Sequence, residues 1–507
     1  MPKKNCITSN GGEVAATPSE DKKIDTRYFG GTATLTAGDR VILIPTPSGN
    51  PRDPLSLPKW HKQLIMGTMV LYSVSGLCLI SALFALVVYV MPDYGREGIT
   101  EDQISDLCTV PSLFLGIGNL ISMPIAVAVG RRPMMLVSTV LLFMSAILCT
   151  TNRKYYWNLG GRMLAAFAAA QCQTLSLLIM QDIYFLHQRA RIFQIFASAE
   201  VTVNSSLTVV SSYMADTLGR RSWYWMLAGF SGVAMILMAL FVPETAYDRP
   251  IEAFMGTIPN GLATQISILT PIDGSQSPDP KHTTNVGETV GSRERCEKRT
   301  FISNLQIFVY KPKWNRCWLF LKQIGQFCLF SHMTYAETLV KPPYNWRNTS
   351  VSLIQLGEIP IALLDVPLGV HEPEKRLIAW IIPMVTALIL TILYGYVLRN
   401  PERFHWMAIV SVVDGYLMVL FGANTIGTAY LIDSHPSFAG AILVILPVTR
   451  GLVGFGLSTH TMQYLASIGS VTTFGIYAAI AAVFCLPGII LYFAGKRVRR
   501  ACAQLTQ

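Results

Sequence analysis

Long apolar runs dominate the chain and recur at regular intervals. A helix that crosses the hydrocarbon core of a bilayer needs about 20 predominantly apolar residues. The sequence contains twelve such runs, at 64–91, 104–129, 134–151, 157–181, 192–215, 223–243, 317–339, 350–369, 377–398, 405–424, 437–460 and 472–494. They predict an all-α membrane protein with 12 transmembrane helices. Charged residues interrupt the seventh and eighth runs, and the stretch that contains these two runs is compact.

A long polar segment separates the sixth run from the seventh. Residues 244–315 are rich in Pro, Ser, Thr, Gly and charged residues, a composition that cannot bury a core and predicts a cytoplasmic linker. The linker separates an N-terminal six-helix half, 61–243, from a C-terminal six-helix half, 316–495. A disordered cytoplasmic N-terminus, 1–60, and a basic cytoplasmic tail, 496–507, flank them. "GRRP" after the second run and "PEKR" after the eighth predict pseudo-symmetric halves.

Composition agrees with this interpretation. The chain of 507 residues is 51% hydrophobic and 14% charged, which excludes an ordinary soluble globule. Its net charge of +10 is concentrated in the tails, short loops and linker, where basic residues mark the cytoplasmic side of a membrane protein. We therefore expect the lipid bilayer, and no nucleic acid, as a partner. Asn348 in "NTS" is a candidate glycosylation site facing outward.

Several polar side chains interrupt the apolar runs, where an ionisable group is costly unless it is paired or faces water. In the fifth run Glu200, Asn204, Thr208 and Ser211 line one face of a helix. This stripe either faces a cavity or hydrogen-bonds to neighbouring helices. The other candidates for a substrate or proton pathway are Arg162, Gln173, Gln323, Gln326, Glu337, Glu358, Asp414 and Arg450.

Two of these candidates lie at similar depth in different helices. Asp414 in the tenth run and Arg450 in the eleventh either pair with each other or have different partners. The ten cysteines show no spacing typical of a metal site, and no cofactor or metal is expected. Motifs of hydrolases, metalloproteases and ATPases are also missing, so the sequence does not predict an enzyme.

Short motifs near the helix ends carry a family resemblance. They are "IPTPSGNPRDPLSLPKW", "GRRPMML", "GRMLAAFAAAQCQTL", "DIYFLHQRAR", "FVPETAYDRP", "HEPEKRL" and "AYLIDS". They resemble fungal members of the major facilitator superfamily, and most of all its twelve-spanner drug:proton antiporter branch, which includes multidrug, polyamine and secondary-metabolite transporters. The resemblance implies the major facilitator fold and links Arg162 to proton coupling. The fifth helix departs from the branch, with "NSSLTVVSSYM" where a glycine-rich motif belongs.

The resemblance also points to a cytoplasmic gate. Arg131 and Arg132 match the basic end of a family loop motif, but the acidic residue of that motif is replaced by Val127. We expect Asp182, at the end of the fourth helix, to supply the missing charge, with Arg189 in the same turn. The hypothesis is a latch that stabilises the outward-facing state, as against a solvated helix-end carboxylate.

Together these features predict a secondary active transporter that works by alternating access. The leading expectation is proton-coupled efflux of an amphipathic small molecule such as a fungal secondary metabolite, toxin or drug. Uptake of a polyamine or another small nutrient is the alternative, and a receptor-like member that does not transport is a further one. The expected location is the plasma membrane or the vacuolar membrane, and the expected oligomeric state is a monomer by default.

Overall fold

The computed structural model describes residues 36–37, 40–41, 53–95, 98–99, 101–151, 154–246, 335, 338–357, 373–416, 419, 427 and 439–483. Strands β1 (Thr36–Ala37) and β2 (Arg40–Val41) form an antiparallel pair. The N-terminal half contains helices α1 (Lys59–Gly95), α2 (Glu101–Val129), α3 (Arg131–Thr151), α4 (Tyr155–Gln173), α5 (Leu175–Ile183), α6 (Leu186–Thr217) and α7 (Arg220–Phe241).

The described part of the C-terminal half is also helical. It contains α8 (Asn348–Val351), α9 (Pro373–Arg399), α10 (Trp406–Tyr416), α11 (Ala439–Ser458), α12 (Thr461–Ile468) and α13 (Ser470–Val483). Candidates Gln323, Gln326, Glu337 and Glu358 lie outside the described residues. Asn348 begins α8.

Six helical segments among the described residues are long and apolar enough to cross a membrane. They are Lys59–Ser81, Asp106–Val129, Arg131–Thr151, Tyr155–Ile183, Arg221–Phe241 and Ile381–Arg399. The polar stripe of α6 explains why that helix, although 32 residues long, is not among them. The fourth predicted run forms two helices, because the chain leaves helical hydrogen bonding at Thr174, whose hydroxyl donates to Asn119 Oδ1 at 2.7 Å.

Small residues bring the helices of the N-terminal half close together. A Cβ atom on Gly118 of α2 would lie 2.7 Å from the carbonyl oxygen of Phe167 in α4, so only glycine allows this approach. Gly76 of α1 meets Ala169 of α4 in the same way. The contiguous core that results holds the N-terminal helices as one packed unit.

The two halves touch through a similar contact between α2 and α11. A Cβ atom on Gly451 would lie 2.7 Å from the carbonyl oxygen of Ser112 and 3.0 Å from Gly116 Cα. This contact lies in the first half of α2 and the second half of α11, near the end of the bundle where α6 finishes and α7 begins. The halves are therefore closely packed toward that end.

Candidate functional site

The polar stripe of α6 contains groups of two kinds. The hydroxyls of Thr208 and Ser211 donate to carbonyl oxygens of their own helix, at 2.9 Å to Asn204 and 2.6 Å to Thr208. Their hydrogen-bonding capacity is therefore used within α6. Asn204 instead faces α1, where its Oδ1 accepts from Cys78 Sγ at 3.1 Å and from Ser81 Oγ at 3.4 Å.

Glu200 is the exceptional member of the stripe. Its Oε1 atom is buried and accepts no hydrogen bond in the described structure. Ser73 of α1 adjoins the carboxylate. Because a carboxylate is strongly solvated in water, burial without a full set of donors is costly and is typical of functional positions.

Glu200 is attracted to a side chain of opposite charge in the other half of the molecule. Arg450 of α11 attracts the Glu200 carboxylate electrostatically, and the attraction is mutual. Both residues lie near the middle of their helices. Of the two arrangements that the sequence left open for Arg450, the structure favours a partner other than Asp414. The Oδ1 atom of Asp414 is buried and accepts no hydrogen bond from a described residue.

Arg162 is 1% exposed and clamps three helices together. Its Nε donates to the carbonyl oxygen of Leu107 in α2 at 3.0 Å. Its Nη1 and Nη2 donate to the carbonyl oxygens of Leu79 and Ile80 in α1 at 3.0 and 2.8 Å. In this structure the guanidinium therefore holds α1, α2 and α4 of the N-terminal half together.

Gln173 ends α4, and its Oε1 is buried without a hydrogen bond in the described structure.

At the end predicted to face the cytoplasm, Arg131 Nη1 forms an ion pair with Asp182 Oδ2. Both side chains are mostly buried, with 19% and 17% of their surfaces exposed. The pair joins the start of α3 to the end of α5, so both partners belong to the N-terminal half. The gate role of this pair is still a prediction. Arg189 lies nearby and donates from Nε to the carbonyl oxygen of Tyr184 at 3.2 Å.

Glu244, which the sequence did not single out, completes this cluster. Its carboxylate accepts from the backbone N–H groups of Arg131 at 3.0 Å and Arg132 at 3.1 Å, which caps the N-terminus of α3. Gly130 has a φ of +131°, and a Cβ atom there would lie 2.8 Å from Glu244 Oε2. The "PET" sequence after the sixth run was the available signal for this cap.

Two residues at the start of α1 bind neighbouring helices at the end predicted to face the cytoplasm. Lys62 is buried and donates from Nζ to the carbonyl oxygens of Leu55 and Ile183, both at 3.0 Å. His61 Nε2 lies 2.8 Å from the carbonyl oxygen of Phe241, at the end of α7. The ends of α5 and α7 are thus held by side chains of α1, next to the Arg131–Asp182 pair.

An ion pair between the halves lies at the opposite end of the bundle. Arg347 Nη2 is 2.8 Å from Asp216 Oδ2, which joins the segment before α8 to the last turn of α6. A cavity of about 540 Å³ lined by Trp346, Arg347 and Trp406 opens beside it. With the α2–α11 contact, this pair joins the two halves toward the end predicted to face outward.

The sequence matches the profile of the Major Facilitator Superfamily over residues 68–490. The chain belongs to this superfamily. It is similar to an MFS-type transporter of Schizosaccharomyces pombe, with 20% identity over 92% of this chain and 89% of that protein. It is also similar to the MFS-type transporter paaT of Penicillium rubens, with 23% identity over 80% of this chain and 73% of that protein.

The structure confirms the fold expected for such a chain. The proton:xylose symporter XylE of E. coli superposes with a TM-score of 0.59 at 13% identity, covering 86% of this chain and 96% of that protein. The protein is therefore an integral, multi-pass secondary transporter of small molecules with the major facilitator fold. Members of this family are generally carriers that do not perform enzymatic chemistry.

Proposed function

We propose that this transporter exports an amphipathic small molecule, such as a fungal secondary metabolite, toxin or drug, in exchange for protons. The observation that carries the proposal is Glu200 at the middle of α6, a half-buried side chain whose Oε1 atom is buried without a hydrogen bond in the described structure. Glu200 also faces a cation of the opposite half, Arg450. A protonatable group between two halves can couple proton movement to their relative motion.

The charge balance at this position supplies the coupling. While Glu200 is ionised, its attraction to Arg450 favours the arrangement in which these two side chains are close. When Glu200 binds a proton the attraction is lost, and Arg450 is left with an unbalanced charge in a region of low dielectric. Protonation therefore shifts the equilibrium between conformations, as alternating access requires.

Uptake of a polyamine is the second candidate function, and one observation weighs against it. A polyamine carries several positive charges, and a binding site at Glu200 would place one of them beside the Arg450 guanidinium. The repulsion between like charges opposes such binding. Asp414, the other described acidic candidate, has no comparable cation facing it among the residues that the structure describes, and it would be the position for a polyamine nitrogen.

Accumulation of compounds in cells tests the proposed direction. A strain that lacks the transporter is supplied with the wild-type chain, Glu200→Gln or Thr208→Val, at matched surface expression. Export predicts lower accumulation of at least one amphipathic compound with wild type and with Thr208→Val, whose hydroxyl is used within α6. Glu200→Gln should not restore export. Higher accumulation with wild type would show uptake, and no change for any compound would contradict transport by this chain.

A further inference from the structure

The cavity beside the Asp216–Arg347 pair is built by one half of the molecule. Its described lining comes from residues between 346 and 354 and from the first two turns of α10, all in the C-terminal half. Asp216 belongs to α6 of the N-terminal half. The walls of this outer cavity therefore do not depend on how the halves are arranged, whereas the ion pair beside it does.

Two contacts fix the segments that carry the tryptophans of the outer cavity. The Tyr344 hydroxyl lies 2.7 Å from the carbonyl oxygens of Pro401 and Phe404, which joins the chain before α8 to the turn before α10. The ring centroids of Trp346 and Trp406 are 5.0 Å apart, and both side chains pack against the hydrophobic core of the C-terminal half. The cavity is therefore largely formed before any ligand enters, as is usual for small-molecule sites.

The lining of the outer cavity combines a large apolar wall with one charge. The two indoles, Leu353, Ile354 and Val410 form the apolar part, and Ser350 contributes a hydroxyl. Arg347 is the one charged side chain among the described residues that line the cavity. A volume of about 540 Å³ lies in the range of sites for drug-sized molecules. The complementary ligand has a flat apolar ring system and a negative charge.

The Arg347 guanidinium has the capacity to bind such a charge. It carries five N–H donors, and its ion pair with Asp216 uses Nη2 at 2.8 Å. Its planar fork suits two parallel hydrogen bonds to a carboxylate, whereas a ligand cation would be repelled. The Arg347 side chain is 74% exposed, so its pair with Asp216 is screened by water and weak. A carboxylate shielded by the indoles can therefore compete with Asp216.

We propose that the outer cavity binds an aromatic carboxylate, with its ring system against Trp346 and Trp406 and its carboxylate on Arg347. Binding draws Arg347 away from Asp216 and weakens one connection between the halves at that end. This inference goes beyond the proposed function, because it requires neither Glu200 nor a particular direction of transport.

Three probes that share a naphthalene ring test the assignment of the ligand. They are 2-naphthoate, 2-naphthamide and 2-naphthylmethylammonium, and the binding of each to the purified full-length protein is measured by equilibrium dialysis. The carboxylate should bind about five- to tenfold more tightly than the amide, because charge-assisted hydrogen bonds are about twice as strong as neutral ones. The ammonium should bind most weakly.

Two variants assign the parts of the ligand to residues. Arg347→Gln should abolish the preference for the carboxylate over the amide. Arg403→Gln, a change at an exposed arginine of the turn before α10, is the matched control and should keep it. Trp406→Ala should weaken carboxylate and amide alike, by about three- to tenfold, and leave their ratio unchanged. A ratio measured in one preparation does not depend on the fraction of the variant that folds.

The competition with Asp216 has its own readout. Asp216→Asn releases Arg347 and should tighten binding of 2-naphthoate by up to about fivefold without changing binding of the amide. By linkage, 2-naphthoate should lengthen spin-label distances between the halves at the Asp216 end in wild type but not in Arg347→Gln.

Several results would overturn the proposal. Absence of binding by all three probes, or equal binding of carboxylate and amide to wild type, would show that Arg347 does not recognise the charge. A preference that persists in Arg347→Gln, or affinities unchanged in Trp406→Ala, would place the probe elsewhere. Binding of 2-naphthoate that is no tighter in Asp216→Asn would refute the competition.

Discussion

Replacing Arg162 by alanine should destabilise the N-terminal half before it affects any step of transport. The side chain makes three hydrogen bonds to backbone carbonyl groups of α1 and α2. Hydrogen bonds between transmembrane helices average about 0.6 kcal/mol, and hydrogen bonds to charged groups contribute about 1.5 kcal/mol or more. Three such bonds therefore contribute about 2–5 kcal/mol, and the buried position, 1% exposed, adds the cost of a cavity.

Thermal unfolding of the purified chain measures this loss. For a unit of 150–250 residues, each kcal/mol corresponds to about 2–4 °C in Tm, so Arg162→Ala should lower the Tm by about 4–20 °C. Arg162→Lys keeps the charge but cannot reach three carbonyl groups, and its Tm should lie between the two. A thiol-reactive dye reports the transition, because four cysteines of this half are buried thiols that form no disulfide: Cys78, Cys108, Cys149 and Cys172.

The outcome separates a structural role of Arg162 from a role in proton coupling. If Arg162→Ala loses transport but its Tm stays within about 2 °C of the wild-type value, Arg162 acts in coupling, and its three hydrogen bonds to α1 and α2 do not determine stability. If transport per folded molecule is retained and only stability falls, the role of Arg162 is structural. The family resemblance favours the first result, and the contacts of the guanidinium favour the second.

Three further substitutions test other parts of the structure. Asp216→Asn should shift the conformational equilibrium toward opening at the Asp216 end by at most about fivefold, because an exposed ion pair contributes under about 1 kcal/mol. Spin-label distances between the halves should show the shift. Exchanging the charges of Asp216 and Arg347 should reverse it. Glu244→Ala removes the cap of α3 and should reduce stability by about 1 kcal/mol, seen as a lower Tm; an unchanged Tm would mean that water replaces the cap. Lys62→Met should lower the Tm more than Lys59→Met, since Lys62 is buried and hydrogen-bonded and Lys59 is exposed; equal effects would contradict a structural role for Lys62.

Hydrophobic periodicity predicted the helices of the N-terminal half well. The third run, 134–151, corresponds to Arg131–Thr151, and the sixth, 223–243, corresponds to Arg220–Phe241. It also placed Glu200 on the polar face of its helix. Periodicity reports which face of a helix is polar, so these features could be read from local sequence alone.

The partners of polar side chains could not be predicted in the same way. Arg450 faces Glu200 across 250 positions of sequence, and Arg347 pairs with Asp216 across 131. Helical spacing does not reveal which neighbouring helix a face contacts. The Arg131–Asp182 pair was expected because the resemblance showed that an acidic residue was missing, whereas Glu244 lay in a segment interpreted as linker.

The gate hypothesis stays a prediction. The sequence suggested that Asp182 and Arg131 hold the outward-facing state together. In the structure this pair joins α3 to α5 within the N-terminal half. An ion pair that does join the halves is Asp216–Arg347, at the other end.

In the proposed mechanism, Glu200 is the group that couples proton movement to transport. The most direct test is the export rate of an identified substrate by Glu200→Gln, relative to wild type and Thr208→Val, with the amount of each at the cell surface measured in the same cells. We expect Glu200→Gln to reach the surface and to lose proton-driven export, while Thr208→Val exports at close to the wild-type rate. Wild-type export by Glu200→Gln would contradict it.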